Sequence, residues 1–431
     1  MNSNTTGSGS FYGWKNVIVS SFFGFICMYA MFFLSLCVPF WEKEFGWSHQ
    51  GMGYANTVFS IIVGLGYIFG GIFVAKYGAR RSIVIGSLIF IAGFLILQFQ
   101  SKIWHLYLGY GVVIGIGGSL ASILALTTLI NDWFVKRRSL ALGIVMASSG
   151  IGGVVLNKLT TLLNFGVGWR TTALLACGLF FVFGVIIQGL FLRNKPEDLG
   201  QVPDGVAPSE SVEPKIESSG SHRIAVDFTV KEAFQTGTLW LIMAYYILLM
   251  MSFQGVTTFA LDYFLLIGIS PANAGWIMGI TPGVTVVGNL LVGFLGLRYN
   301  IHRLAIIGFI PVVISVIILA FFQSLIMICL YAILIGVGLG INMVAMFNLL
   351  ANYFGAKHYP KILGYFSPGW AILAGFGAPL TGHIYDKTQS YVTAWQIFMV
   401  FLMIALVFLI FAKPPVHPSQ NEGAAGVPVE A

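Results

Sequence analysis

His383 and Asp386 stand three residues apart near the end of an apolar segment, so on a helix they share a face. A carboxylate beside an imidazole can hold and release a proton near neutral pH, the chemistry of proton coupling. An ordinary helix-end pair would have the same spacing. Lys158 is the one cation set within an apolar segment, about 20 residues or roughly 30 Å of helix beyond Arg138. There it either attracts an anionic solute or snorkels to the nearby polar boundary. Tyr29, Asn56, Tyr107, Tyr110, Gln254, Asn342 and Trp370 also interrupt apolar runs. Such side chains line a solute cavity, tie helices together or sit in an aromatic belt. No His, Cys or acid constellation with catalytic or metal spacing occurs, so no metal or cofactor is expected. A Gly-x4-Gly-Lys-Ser/Thr nucleotide loop is missing as well, which disfavours an ATP-driven pump.

The elements that position these residues are legible in the composition. Residues of the AVILMFWYC set make up 57% of the chain and charged residues 9%, with a mean hydropathy of +0.88. A soluble domain carries about 25% charged residues. The chain is therefore read as an all-α integral membrane protein, and at about 20 residues per crossing it divides into twelve spans. The eleventh is read as one continuous helix over 361–384. The net charge of +7 is not a nucleic-acid signal, because the cations are sorted. Lys43, Lys102, Lys158, Arg170 and Lys387 fall on one side and every other Lys and Arg on the opposite side. That bias sets both termini in the cytoplasm. Cys27, Cys37, Cys177 and Cys329 all fall in spans and read as packing residues.

Two halves repeat one pattern. Ser48 leads through an apolar stretch to Gly71-Ile72-Phe73-Val74-Ala75-Lys76-Tyr77-Gly78-Ala79-Arg80-Arg81. Ser270 leads, after the same distance, to Gly293-Phe294-Leu295-Gly296-Leu297-Arg298-Tyr299-Asn300-Ile301-His302-Arg303. A duplicated bundle of this kind builds a pseudosymmetric site at the midplane. The expected division is a six-helix bundle over 1–192, a polar cytoplasmic linker over 193–236, and a second six-helix bundle with a short tail over 237–431.

The stretch from Gly71 to Arg81 resembles the loop between the second and third helices of the major facilitator superfamily. Trp133-Phe134-Val135-Lys136-Arg137-Arg138-Ser139-Leu140-Ala141-Leu142-Gly143 is similar to the signature of its monocarboxylate porter branch and of bacterial oxalate/formate-type antiporters. Phe11-Tyr12-Gly13-Trp14, Phe45-Gly46-Trp47-Ser48, Gly168-Trp169-Arg170 and Arg193-Asn194-Lys195-Pro196-Glu197-Asp198-Leu199-Gly200 extend the likeness in order along the first half. The resemblance implies a cytoplasmic latch at Gly71, Lys76, Gly78, Arg80, Arg81, Lys136, Arg137, Arg138, Arg298 and Arg303. A positive-inside anchor would use the same cations. The acid of the first loop is replaced by Ala75, which leaves the latch without its charge partner.

The resemblance also implies cations for a carboxylate substrate, in the eighth and eleventh spans. Asn289 and Trp370 stand at those positions here, and Thr285 stands where the animal carriers have an acid. Burying an unpaired carboxylate costs several kcal/mol. An Asn amide offers two donors instead, suited to a weakly bound monocarboxylate or a neutral solute, or to an interhelical tie.

The combined expectation is a secondary transporter, symporter or antiporter, moving a small organic acid across the cell membrane by alternating access and acting as a monomer, with protons as the candidate partner ion and the coupling ion left open. The alternatives are a carrier for a neutral or aromatic solute, and a transporter-derived sensor without net flux.

Overall fold

The computed structural model describes residues 11–134, 137–203, 227–296, 298–355 and 358–415. Eleven helices among them are long and apolar enough to cross a membrane. In the first half these are α1 (Gly13–Phe45), α2 (His49–Tyr77), α3 (Ala79–Gln98), α4 (Ile103–Trp133), α5 (Arg138–Gly166) and α6 (Trp169–Phe191). The second half contributes α7 (Gly237–Leu266), α8 (Pro271–Leu295), α9 (Ile301–Phe321) and α10 (Leu325–Phe354). The eleventh expected span is two helices, α11 (Tyr359–Ala374) and α12 (Gly377–Thr388), and α13 (Val392–Phe411) completes the bundle. Phe69, Phe294 and Ile326 are 70%, 71% and 77% exposed. Side chains this apolar and this uncovered face lipid rather than water.

The serine that opens the duplicated pattern caps its helix in both copies. Ser48 caps α2 by accepting from the Gly51 amide at 3.1 Å, and Ser270 caps α8 by accepting from Asn273 at 3.5 Å. Both satisfy an amide that a helix start leaves unpaired.

The continuous span expected over 361–384 is corrected by two residues. Pro379 has no amide proton, so the carbonyl four residues back, Gly375, loses its helical donor. The chain breaks there, and Thr57 of α2 donates its hydroxyl to Gly375 at 2.8 Å. In α4 the helix stops at Leu120 and resumes at Ile123. Ser82 of α3 donates to the freed Leu120 carbonyl at 2.8 Å. Irregular backbone at membrane depth survives only with such partners.

The halves meet tightly at one end. The outer end is here the end away from the basic loops. Helices α2 and α12 approach through Gly53 and Gly382. A Cβ on Gly53 would lie 2.6 Å from the Pro379 nitrogen, and one on Gly382 would collide with the backbone of His49 and Gln50. Helices α5 and α8 cross through Gly150, Gly153, Gly275 and Gly279, where a Cβ on Gly279 would lie 2.7 Å from Val154 Cα. Toward the basic end the same two helices part. A Cβ on Gly143 or Gly293 would meet nothing within 4 Å. The two halves are thus closed at the outer end, and α5 and α8 are parted at the basic end.

Candidate functional site

The outer closure is built on the first turn of α2. With Ser48 as its cap, the amides of His49 and Gln50 point out of the helix with no intrahelical acceptor. Asp386 of α12 accepts from both, at 3.0 Å and 2.9 Å. An anion at a helix N-terminus is favoured by the dipole and by the free amides together. Here the anion comes from the opposite half.

The His49 side chain is 2% exposed. Its Nε2 lies 3.3 Å from Asp262 Oδ2 at the end of α7 and 3.5 Å from Glu42 Oε2 at the end of α1. Its Nδ1 lies 3.5 Å from Asp386 Oδ1. The Tyr391 hydroxyl donates to Asp262 Oδ2 at 2.7 Å. Burial first, then the Asp262 charge, holds that hydroxyl well above the ordinary phenol range, so it stays a donor. The rings of Tyr385 and Phe259 cover the imidazole at 4.2 Å and 5.4 Å between centroids. Four helices thus bring one imidazole and three carboxylates together under an aromatic lid.

Beneath this cluster lies a second tier of ties between halves. Ser35 donates to the Thr257 carbonyl at 2.5 Å. Gln254 Oε1 accepts from Asn56 at 2.7 Å and from Ser60 at 3.0 Å. Asn157 of α5 donates to the Met278 carbonyl of α8 at 3.1 Å. Pro282 has left that carbonyl without a helical donor.

The residues singled out from sequence separate into groups. His383 and Asp386 share a face, but each turns to α2. His383 Nδ1 lies 3.1 Å from Gln50 Oε1, while Asp386 holds the helix start. Tyr107 donates to the Gly51 carbonyl at 3.0 Å and Tyr110 to the Met31 carbonyl at 3.1 Å, both as ties between helices of the first half. Tyr29 packs on Phe33 and Phe94. Asn342 donates to Gly338 of its own helix at 2.9 Å. Lys158 sits over the Trp276 ring at 3.7 Å, joining α5 to α8 by a cation–π contact.

Asn289 and Trp370 each hold a buried polar atom without a partner, as does Asn342 at its Oδ1. Asn289 lies on the side of α8 that continues from Thr281 and Thr285, and its Oδ1 is buried without a partner. The Nε1 of Trp370 is likewise buried and unpaired, with its ring edge-on to Tyr246 at 5.0 Å. Buried polar atoms are normally paired, so each orphan calls for an explanation.

At the basic end, Gly78 turns with φ +84°, a conformation glycine adopts without strain. Arg80 and the loop are tied to the start of the linker, since the Arg80 amide donates to Asn194 Oδ1 at 2.9 Å and its guanidinium to the Gly189 carbonyl. Trp133 Nε1 donates to the Arg193 carbonyl at 3.0 Å. Lys76 lies over Tyr77, and Arg81, Arg137, Arg298 and Arg303 are exposed. Close packing near Gly71 falls to its neighbour Gly70, which abuts the Ser119 carbonyl of α4. Lys136 and the Arg138 side chain lie outside the described residues.

Sequence reasoning missed His49 and Glu42. Each is an unremarked polar residue at the mouth of a span, and only folding joins them to Asp262 and Asp386. The one local signal is a histidine placed directly after the helix-capping Ser48.

A family model of the Major Facilitator Superfamily matches residues 20–267 and 259–430. Among curated proteins, Monocarboxylate transporter 12 of Rattus norvegicus is 23% identical, with 93% of this chain and 85% of that protein covered. Monocarboxylate transporter 12 of Xenopus laevis is 25% identical, with 93% and 89% covered. Monocarboxylate transporter 14 of Homo sapiens is 27% identical over 48% of this chain, which spans only 41% of that protein. Among solved structures, a bacterial homologue of the human lysosomal transporter Spinster, inward-facing and unoccupied, aligns at a TM-score of 0.73 and 16% identity, over 94% of this chain and 98% of that one. A D-xylose–proton symporter aligns with the same TM-score, identity and coverage. These two likenesses concern the fold.

Proposed function

The chain belongs to the Major Facilitator Superfamily, and we propose that it carries a small monocarboxylate-like organic acid across the cell membrane by alternating access between halves 1–192 and 237–431, with both termini cytoplasmic. The observation that carries this reading is the asymmetry of the two ends. The outer end is sealed by hydrogen bonds between halves, while α5 and α8 part at Gly143 and Gly293. A solute held between the halves would face the basic end in this state, and the opposite face once the outer seal breaks.

The substrate class rests on the end-to-end likeness to proteins named monocarboxylate transporters and on the chemistry of Asn289. Without a cation there, a carboxylate is met by amide and indole donors, which suits singly charged acids over dianions. The unpaired Trp370 indole against Tyr246 also favours a second reading, a neutral or aromatic solute. Uptake into proteoliposomes of lactate, pyruvate, formate, oxalate, aromatic acids and neutral analogues separates the two. Saturable uptake of monocarboxylates that oxalate does not inhibit supports the first. Uptake confined to neutral analogues replaces it with the second, and ligand binding without flux would mark a sensor.

A further inference from the structure

We propose that the outer seal is a divalent-metal site, in which Glu42, His49 and Asp262 hold one zinc-type ion between the halves. The ion is a borderline transition metal taken from the external solution. Its binding rests on coordination geometry alone, while its effect on the carrier rests on the alternating-access reading.

His49 Nε2 lies 3.3 Å from Asp262 Oδ2 and 3.5 Å from Glu42 Oε2, and the three donor atoms all lie within 4.8 Å of one another. One imidazole nitrogen and two carboxylate oxygens form a set that Zn²⁺ accepts, with water as the fourth ligand. Metal–ligand bonds of about 2.0–2.2 Å at tetrahedral angles set neighbouring donors about 3.3–3.6 Å apart. Both distances from Nε2 fall on that edge. A charge-assisted N–H···O bond would instead close to about 2.7–2.9 Å.

The groups that would orient these ligands are also in place. Asp386 Oδ1 faces the other ring nitrogen, Nδ1, at 3.5 Å. A ligating histidine usually turns its second nitrogen to such a carboxylate, which fixes the ring and its tautomer. Asp386 is itself anchored by the amides of His49 and Gln50. The Tyr391 hydroxyl donates to Asp262 Oδ2 and leaves that oxygen a further lone pair. Tyr385 and Phe259 wall the imidazole, and Glu42, 41% exposed, opens a way in from the outer solution. Among the described residues no Lys or Arg pairs with Glu42, Asp262 or Asp386. Buried charges are paired or coordinate a metal, and a dication would balance the two ligating carboxylates.

No metal motif is visible in the sequence because the three ligands come from three separate elements. Glu42 and His49 belong to the first half, at the end of α1 and the start of α2, and Asp262 belongs to α7 of the second. Opening the outer end withdraws Asp262 and leaves a two-ligand site. An ion that binds the closed state more tightly shifts the population toward it. External Zn²⁺ therefore holds the outer end shut and slows the carrier.

The test uses the metal alone, with no solute. Full-length protein in nanodiscs, stripped with EDTA, is titrated with Zn²⁺ by calorimetry in excess Mg²⁺. One ion should bind per chain, and Co²⁺ in its place should show the intense visible absorption of a tetrahedral site. Glu42→Gln, His49→Gln and Asp262→Asn should each weaken binding at least about tenfold. His105→Gln, at the same end but outside the cluster, should leave binding unchanged. Glu42 is partly exposed, so its variant decides the matter if a buried one fails to fold. In a second arm, Ser35→Cys is labelled from outside with an impermeant maleimide, with Cys27, Cys37, Cys177 and Cys329 replaced by Ala. Zn²⁺ should slow labelling about 5- to 150-fold, and Glu42→Gln should abolish the slowing. Absent binding overturns the site, as does adventitious binding that survives all three ligand substitutions. Bound Zn²⁺ that leaves labelling unchanged overturns its hold on the outer end. A failure to bind zinc would leave the transport reading intact, and an uptake screen without a substrate would leave the metal site intact.

Discussion

The side-chain amide of Asn157 donates to the carbonyl of Met278 across the boundary between halves, 3.1 Å away. Pro282 has deprived that carbonyl of its helical donor. The same pairing recurs where Thr57 serves the Gly375 carbonyl that Pro379 leaves free. In both cases one half carries the proline and the other half the donor. The break in one bundle thereby becomes an acceptor for its neighbour.

This relationship makes a double-mutant prediction. Asn157→Leu should lower stability by about 1–3 kcal/mol, because a buried acceptor loses its partner. Pro282→Ala in that background should recover part of the loss, since the new amide reaches the Met278 carbonyl within the helix. Thermal unfolding in detergent provides the measure. If Pro282→Ala only worsens the Asn157→Leu variant, the freed carbonyl is not what Asn157 serves.

Two glycines should move the outer equilibrium in opposite directions. A side chain at Gly382 meets the backbone of His49 and Gln50, whereas one at Gly143 meets open space. Gly382→Val should therefore hinder outer closure by about 1–3 kcal/mol, and Gly143→Val should hinder closure of the basic end. The reporter is a Ser35→Cys probe beneath the seal, labelled from outside with an impermeant maleimide. Labelling should rise about 5- to 150-fold in the first variant and fall in the second, with uptake lost in both. Equal labelling in both variants would contradict the asymmetry on which the transport reading stands.

How much of this was readable from sequence depends on whether the information is local. The apolar segments are local, and the twelve-span reading followed from their length; the repeated Ser48 and Ser270 caps and the sorted cations are local as well. The break in the eleventh span was also signalled locally, by Gly375 and Pro379, but apolar periodicity over 361–384 masked it. The His49 cluster was not readable. Glu42, His49, Asp262 and Asp386 sit on four helices, and nothing in the spacing of any one of them indicates the others. His383 and Asp386 were singled out as a pair because they are near in sequence. Folding gives each a partner on α2 instead.

The Tyr391–Asp262 tie should show a distinctive pH dependence. Burial and the Asp262 charge raise the folded hydroxyl above its unfolded value of about 10. A raised folded value means the contribution is fully present below about pH 10 and fades as pH climbs past it. Tyr391→Phe should thus cost about 1–3 kcal/mol throughout the neutral range. Wild-type and variant unfolding curves should converge only in strong alkali. Convergence already near pH 8 would mean that the hydroxyl contributes through something other than its bond to Asp262.

The last prediction turns on Asn289. Its buried Oδ1 has no partner, and its backbone packs against Gly340 of α10. Asn289→Arg would place a cation where a carboxylate can be held by two parallel hydrogen bonds. Preference should shift toward smaller or doubly charged acids and away from neutral analogues. Added salt should weaken that shift only slightly, since a buried pair is poorly screened. Asn289→Leu removes both donors and should weaken binding of the preferred solute by about 1–3 kcal/mol, read as a raised half-saturation concentration in uptake. The two variants must therefore diverge, one redirecting selectivity and the other diminishing affinity. If both transport with unaltered selectivity and half-saturation, Asn289 serves only the packing of α8 against α10 and does not meet the solute. The solute would then have to be held elsewhere, with the Trp370–Tyr246 wall as the next position to vary.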